Sequence, residues 1–194
     1  MIKKFLLVYV TMIFLTLLNR GLLAEDFFFE GEEIQVINNG EILKSNKGVK
    51  ISSTGGVIIT AQEFEYNKKN SELIVSINVI VDDKTNATVI KTNKIKYLKN
   101  LEEIQTFNDT EIEIEKNILI KTKNLVYLRN SGEIKSKYKT IVIDKYKNSF
   151  NTEDFLFNIS NKILKGQNVT IKDKEGNISF FKNFFSNLGK NEFY

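Results

Sequence analysis

Apolar and polar residues alternate with a period of two along most of the chain after residue 30. The runs VKI (49–51), VIV (79–81), EIEIE (111–115), IVI (141–143) and VTI (169–171) show it most clearly. Short stretches rich in Asn, Gly and Lys separate such runs. Since residues i and i+2 share a face of a strand, the pattern predicts half-buried strands joined by tight turns. No segment shows a sustained helical period, so we expect an all-β chain with almost no helix after residue 24.

The strand pattern repeats at a spacing of 30 or 31 residues. ITAQEFEYNKKNSELIV (59–75) returns as IKTNKIKYLKNLEEI (90–104) and as IKTKNLVYLRNSGEI (120–134). An apolar–x–aromatic pair recurs at Phe64/Tyr66, Ile95/Tyr97, Leu125/Tyr127 and Phe155/Phe157, and Ile34/Val36 and Phe185/Asn187 stand at the same spacing without the second aromatic residue. Units of this length cannot bury their apolar face alone and must stack on their neighbours.

Stacking such units places equivalent side chains one above another. Phe64 and Tyr66 then point into the stack while Glu63 and Glu65 point out, because side chains alternate along a strand. The inward columns either fill the core of a closed solenoid or line an elongated apolar slot between two sheets. Composition alone leaves both interpretations open.

The first 24 residues have the features of a secretory signal peptide. Lys3 and Lys4 precede a largely apolar run from Phe5 to Leu18, and Ala24 offers a cleavage site before Glu25. The apolar run is shorter than the roughly 20 residues that a transmembrane helix needs. We therefore expect a secreted domain spanning residues 25–194, with an uncleaved membrane anchor as the alternative.

Charge and composition exclude several kinds of function. Residues 1–24 contain three basic residues and no acidic one, which leaves 25 basic and 24 acidic residues and a net charge of +1. That balance, without a basic patch carrying interleaved aromatics, argues against nucleic-acid binding. The chain has no Cys and no His, so disulfides, thiolate metal sites and the commonest general base are all absent. We expect no enzyme activity, no metal and no cofactor.

Three short motifs could carry chemistry, and each has a structural explanation. Glu111, Glu113 and Glu115 alternate with isoleucines, which is the pattern of a solvated strand face. Asp82-Asp83 is a possible cation contact but is interpreted as a polar turn. Gly55-Gly56 is interpreted as a turn, because it does not join a strand to a helix as a phosphate-binding loop does.

The signal peptide and the repeated strands together resemble the OstA-like (organic solvent tolerance) domain family of bacterial lipopolysaccharide transport. The stretches that carry the resemblance are the three repeat copies quoted above, within residues 30–194. That family includes a small periplasmic bridge protein and the N-terminal domain of the outer-membrane lipopolysaccharide-assembly protein. The closing SFFKNFFSNLGKNEFY (179–194) is similar to the last strands before the β-barrel of that assembly protein. The barrel is not part of these 194 residues, and whether the chain is a fragment of a longer protein stays open.

The resemblance implies a twisted, partly open β-jellyroll built from roughly 30-residue two-strand repeats. Its groove would hold the lipid A acyl chains of lipopolysaccharide. It would work in the periplasm of a Gram-negative cell, associated with the outer membrane. Its implied partners are other OstA-like jellyrolls, paired through edge strands, and the outer-membrane barrel with its lipoprotein. The residues expected to line the groove are Val36, Leu43, Ile51, Phe64, Tyr66, Leu73, Val81, Ile95, Tyr97, Ile104, Ile112, Leu125, Tyr127, Ile134, Phe155, Phe157 and Leu164.

Two other functions stay open from the sequence. One is a structural or adhesive β-solenoid with a closed core. The other is an inner-membrane-anchored component of the same transport bridge, with residues 5–18 kept as a tether.

Overall fold

The structure is a computed structural model that describes residues 27–190 and 192–193 and is all-β. The predicted signal peptide lies outside these residues. The strands are β1 (Phe27–Glu30), β2 (Gln35–Ile37), β3 (Ile42–Ser45), β4 (Val49–Ser53), β5 (Val57–Ala61), β6 (Glu63–Asn67), β7 (Glu72–Asp83), β8 (Thr88–Leu98), β9 (Glu103–Ile114), β10 (Ile118–Lys123), β11 (Val126–Leu128), β12 (Glu133–Ser136), β13 (Thr140–Ile143), β14 (Ser149–Asn158), β15 (Ile163–Lys172), β16 (Ile178–Asn187) and β17 (Glu192–Phe193).

Helical structure in the described part of the chain is limited to two 3-10 turns, Asn38–Gly40 and Lys99–Leu101. The expectation of an almost helix-free chain is confirmed. Among the described residues there is no helix with the length and apolar character needed to cross a membrane.

The strands form two layers, and the longest strands extend through both of them. The front layer contains β1, β4, β5, β10 and β13, and the back layer contains β2, β3, β6, β11, β12 and β17. Six longer strands (β7, β8, β9, β14, β15 and β16) run through both layers. One half of β7, for example, pairs with β5 and the other half with β6. Each repeat therefore adds strands to both layers at once.

In the middle of the stack the pairing closes on itself. Strand β9 pairs with both β10 and β11, while β14 pairs with both β13 and β12. Since β10 also pairs with β13 and β11 with β12, six strands form a closed barrel, with the remaining strands outside it. This closure removes sheet edges from the middle of the molecule and leaves them at its two ends.

The long strands bend where they pass from one layer to the other. The register of β7 against β8 shifts between Ser76 and Val79, and backbone φ is positive at Ile77 (67°), Asn108 (66°) and Asn168 (50°). At such a shift one strand has an extra residue relative to its neighbour. This is a β-bulge, which bends the strand and increases its twist. We call the edge of the molecule that contains these bends the corner. We call the opposite edge, where the hairpin turns of the two layers meet, the seam.

The core lies between the layers, in what we call the interior. Along the back layer one row of directly paired side chains alternates aromatic and aliphatic residues, and along the front layer a second row is mainly aliphatic. The back row is Leu43, Tyr66, Leu73, Tyr97, Ile104, Tyr127, Ile134, Phe157 and Leu164. The front row is Ile51, Ile59, Val81, Ile90, Ile112, Ile120, Val142, Phe150 and Ile171.

Candidate functional site

The predicted groove residues come together in the interior. Ile51, Val81 and Ile112 lie in the front row, and the residues from Leu43 to Leu164 named above lie in the back row. Phe64, Ile95, Leu125 and Phe155 lie on the same face, one step nearer the corner, and are buried. Leu43, near the end of the stack, is only partly buried. The period-two pattern therefore predicted which side chains share the interior.

Val36 differs from the other predicted groove residues in its exposure. Its register is as predicted, opposite Leu43, but its side chain is 64% exposed. Strand β2 is the last strand described at that end of the back layer, so no neighbouring strand covers its inward face. A residue can thus belong to the row and still lie outside the core.

The sixth copy of the aromatic pair is corrected. Phe185 pairs with Lys165 on the outer face and is 38% exposed, whereas Phe184 and Ser186 point inward and are buried. The prediction assumed a constant spacing from Phe155 to Phe185. The observed strand is displaced by one residue, which moves every side chain to the other face.

The interior is filled along the middle of the stack. Leu73, Tyr97, Ile104, Tyr127 and Phe157 have no exposed surface. Two surface cavities, of about 750 and 590 Å³, lie instead on the outer faces of the front and back layers beside the corner. A ligand could reach the inward rows only if the two layers separated or if it came in from an end.

Aromatic rings cover the end of the interior formed by β1. Phe29 of the front layer stacks on Phe64 of the back layer with ring centroids 4.9 Å apart, and Phe27 contacts Tyr66 at 5.5 Å and Tyr97 at 5.4 Å. Aromatic pairs at these separations stabilise beyond their area alone. Phe27 and Phe29 were not among the predicted groove residues, although they continue the period-two pattern.

A buried polar cluster holds the seam closed. Arg129, at the end of β11 in the back layer, donates from Nε to Asp83 of the front layer at 2.9 Å and from Nη2 to the carbonyl of Gly55 at 3.0 Å. The Arg129 guanidinium also contacts the carboxylate of Glu102. The side chains of Arg129 and Asp83 are only 6% and 1% exposed. We call Asp83, Glu102 and Arg129, with the hydroxyls of Tyr97 and Tyr127, the seam cluster.

The two tyrosines of the seam cluster connect it to the apolar rows. Tyr127 Oη donates to Asp83 at 2.8 Å, and Tyr97 Oη donates to Glu102 at 2.7 Å. Their rings occupy predicted groove positions in the back row, so the aromatic body of each fills the core while its hydroxyl reaches the seam. Buried tyrosine hydroxyls usually find such partners.

The pKa values of the cluster follow from burial and from these hydrogen bonds. Burial alone would raise the pKa of Asp83, but hydrogen bonds from Arg129 and Asn86 and the positive charge of Arg129 together lower it below its ordinary value. Burial raises the pKa of both Tyr97 and Tyr127 well above their usual range, and the Asp83 charge adds to the effect on Tyr127. At neutral pH the cluster therefore contains one cation and an ionised Asp83.

Hydroxyl groups line the inside of the corner. Thr110 donates to Thr106 at 2.7 Å, and Thr122 and Thr140 lie 2.7 Å apart with Ser136 3.0 Å from Thr122. Thr92, Thr122 and Thr152 stand at the small-residue position that precedes the aromatic pair in each repeat. Thr92 and Thr122 bond to neighbouring hydroxyls, and Thr92 and Thr152 donate to backbone carbonyls near the bends, which satisfies polar groups that would otherwise be buried without partners.

The remaining motifs are surface features or turns, with one correction. Glu111 is 41% exposed while Ile112 and Ile114 are buried, so the solvated strand face is confirmed. Gly55 and Gly56 lie in the turn after β4, as predicted. Asp83 was interpreted as part of a polar turn, but it ends β7 and pairs with Arg129 in the seam. The described residues include no group of carboxylates arranged to hold a metal ion.

Comparison with protein-family models gave no match, and comparison with curated proteins gave none either.

Proposed function

We propose that the chain is a module of lipopolysaccharide transport, a twisted β-jellyroll that takes acyl chains between its two layers. The observation that supports this most is the continuity of the back row from Leu43 to Leu164. Each of the four central repeats contributes one aromatic and one aliphatic side chain to it. At a strand spacing of about 4.8 Å, the strands of this row give an apolar track roughly 38 Å long.

The physical need for such a track is the cost of exposing acyl chains to water. Burying one methylene contributes about 0.8 kcal/mol, so a lipid with several acyl chains cannot cross an aqueous compartment unshielded. An apolar interior shields the chains while the sugars stay in water. A continuous row offers equivalent positions along its length, which suits passage from one level to the next.

The sheet edges at the two ends support the proposed partners. In the described residues β1 pairs only with β4 and β2 only with β3, and the first half of β16 pairs only with β15. Unpaired edges bind other strands readily. We propose that they join other OstA-like jellyrolls in the periplasm, leading to the outer-membrane barrel and its lipoprotein. The choice between cleaved and membrane-tethered forms depends on residues 1–24 and stays a prediction.

One observation favours the second candidate, a structural β-solenoid with a closed core. The middle of the back row has no exposed surface, and the seam cluster holds the layers together there. If the layers never separate, the rows act only as a core.

Photo-crosslinking with purified lipopolysaccharide distinguishes the two candidates. A photoreactive residue is placed at Tyr66, Tyr127 or Phe157, which face the interior at three levels of the stack. Matched controls replace the adjacent outward residues Glu65, Val126 and Leu156. We expect the inward sites at two or more levels to capture lipid and the outward sites to capture none. Capture at no inward site would leave the closed solenoid, and capture at one level would indicate a discrete pocket.

A further inference from the structure

The seam differs from the corner in how the two layers are connected. At the corner the backbone of each long strand runs from one layer into the other, so the layers cannot separate there without unpairing strands. At the seam the connection is made by side chains. Asp83 and Gly55 belong to the front layer, and Arg129 and Tyr127 belong to the back layer.

All three guanidinium nitrogens of Arg129 have partners: Nε and Nη2 reach the front layer, and Nη1 is held within the back layer. Nε and Nη2 contact the two oxygens of Asp83, at 2.9 and 3.4 Å, and Nη1 donates to Tyr97 Oη at 2.9 Å in addition to Glu102. Such a fork of donors is specific to arginine, because a lysine ammonium is a single point charge. A polar cleft of about 490 Å³ lies directly outside, lined by Gly55, Asn86, Glu102 and Asn130 among others.

A second ion pair across the seam is of a different kind. Lys162 in the turn after β14 contacts Glu115 in the turn after β9, and both side chains reach solvent, with 28% and 43% of their surface exposed. Exposed pairs of this type contribute little to stability. Of these polar connections across the seam, the buried cluster is therefore the stronger one.

We infer that the seam is a lateral gate to the interior and that the seam cluster is its latch. When the contacts between Arg129 and Asp83 break, the layers swing apart about the corner, and the back row becomes accessible from the side. An acyl chain would then pass between the turns instead of threading from an end. This use of the gate rests on the proposed function, but the opening itself does not.

The chain has no cysteine, so pairs of introduced cysteines can be spin-labelled cleanly. Ala87 and Asn130 lie in turns on opposite sides of the seam, next to the contact between the Asn86 amide and the Arg129 carbonyl at 3.4 Å. Lys91 and Lys121 form the control pair, since both project from the outer face of the front layer on either side of Glu111. Pulsed electron paramagnetic resonance measures both distances.

Two conservative variants weaken the latch: Arg129→Lys keeps the charge and loses the fork, and Asp83→Asn keeps the shape and loses the charge that Arg129 contacts across the seam. Lys162→Gln is the matched control, because it breaks the exposed pair across the same seam. We expect each latch variant to raise the population with long 87–130 distances about tenfold, the effect of losing one hydrogen bond to a charged group. Lys162→Gln should leave this distance unchanged, and the 91–121 distance should not change in any variant.

Unchanged 87–130 distances in both latch variants would overturn the inference. Broadening of the 91–121 distance to the same degree would overturn it too, since the cluster would then hold the whole fold and not the seam alone.

Linking the two cysteines introduced at positions 87 and 130 with a short bismaleimide tests separately whether acyl chains enter through the seam. We expect the linked protein to lose lipopolysaccharide capture at Phe157, which lies in the back row outside the seam cluster, while the same linkage between positions 91 and 121 has no effect. Full capture with the seam linked would refute lateral access and leave the proposed function intact. If the 87–130 distance increased in the latch variants but no site captured lipopolysaccharide, the latch would be supported and the lipid function refuted.

Discussion

Tyr127 Oη of the back layer donates a hydrogen bond to Asp83 of the front layer at 2.8 Å, across the seam. The ring of Tyr127 lies in the apolar back row, so one side chain belongs both to the core and to the polar connection between the layers. Packing in the interior and closure of the seam are therefore coupled. A change in either should be measurable in the other.

Removing the buried Arg129 guanidinium should destabilise the domain far more than removing the solvent-accessible Lys162 ammonium. We expect Arg129→Ala to lower the free energy of unfolding by about 3–5 kcal/mol, because it leaves Asp83 buried without its charge partner. Lys162→Ala breaks an exposed pair and should cost less than about 1 kcal/mol. Urea unfolding of residues 25–194, followed by circular dichroism, measures both. Similar losses for the two variants would contradict the burial of the seam cluster.

The contribution of Asp83 should disappear in acid. Its pKa is lowered in the folded state from an ordinary value of 3.8, so its stabilising effect is complete above that value and is lost as pH falls through the folded pKa. We expect the stability difference between the wild type and Asp83→Asn to be largest near pH 7 and to shrink below about pH 4. Unfolding curves of both proteins between pH 3 and 7 check this. A constant difference over that range would show that Asp83 is not stabilised as an anion.

Tyr97 and Tyr127 should resist ionisation in alkali. Burial raises the pKa of each above the ordinary value of 10.0, so the folded state keeps them neutral while the unfolded state ionises. The stability they contribute is present below pH 10 and is lost as pH rises further. In an absorbance titration at about 295 nm, where tyrosinate absorbs, we expect their ionisation to coincide with unfolding. Tyr97→Phe and Tyr127→Phe should each reduce the absorbance change that accompanies unfolding.

Substitutions at Gly166 and Thr152, which lie in contact at the corner, should have coupled effects on stability. A Cβ at position 166 would lie 1.9 Å from Thr152 Oγ1 and 3.2 Å from a methyl of Val169. We expect Gly166→Ala to cost about 1–3 kcal/mol, as overpacking does in other cores. The cost should fall clearly in a Thr152→Ala background, which a double-mutant cycle measures. Additive effects would place the strain elsewhere.

A charge should be tolerated on the outer face and not in the back row. Glu113→Lys changes an outward side chain and should alter stability by less than about 0.5 kcal/mol. Tyr97→Lys would bury a second cation beside the Arg129 guanidinium, which lies 2.9 Å from the Tyr97 hydroxyl, and should prevent stable folding. Thermal unfolding of the two variants compares them directly. Equal effects would mean that the strand register is wrong.

The alternation of apolar and polar residues predicted the strands and the interior residues because residues i and i+2 of a strand lie on the same face. A strand with one buried face therefore has an apolar residue at every second position. The same rule also points to the ion pair at the seam. Asp83 follows Val79 and Val81 on one face, and Arg129 follows Leu125 and Tyr127 on another. Two opposite charges at inward positions predict a buried pair, provided that the layers face each other.

Other features could not be predicted, because they depend on how the layers meet. Glu102, which contacts Arg129, follows a 3-10 turn and has a left-handed backbone conformation. The apolar–polar alternation gives no sign of its role. The exposure of Val36 depends on the lack of a further described strand beyond β2, and the one-residue displacement at Phe185 depends on bends in β14 and β15. Spacing along the chain carries no signal for either.

The sequence distances within the seam cluster have a consequence for the order of folding. Strand pairing in the repeats joins segments that are close in sequence, whereas Arg129 contacts Asp83 from 46 residues away and Gly55 from 74. Contacts of long separation pay the largest loop-closure cost and tend to form after local ones. The repeats should therefore assemble first and the seam should close last. Weakening the seam cluster would then speed unfolding and leave the folding rate nearly unchanged.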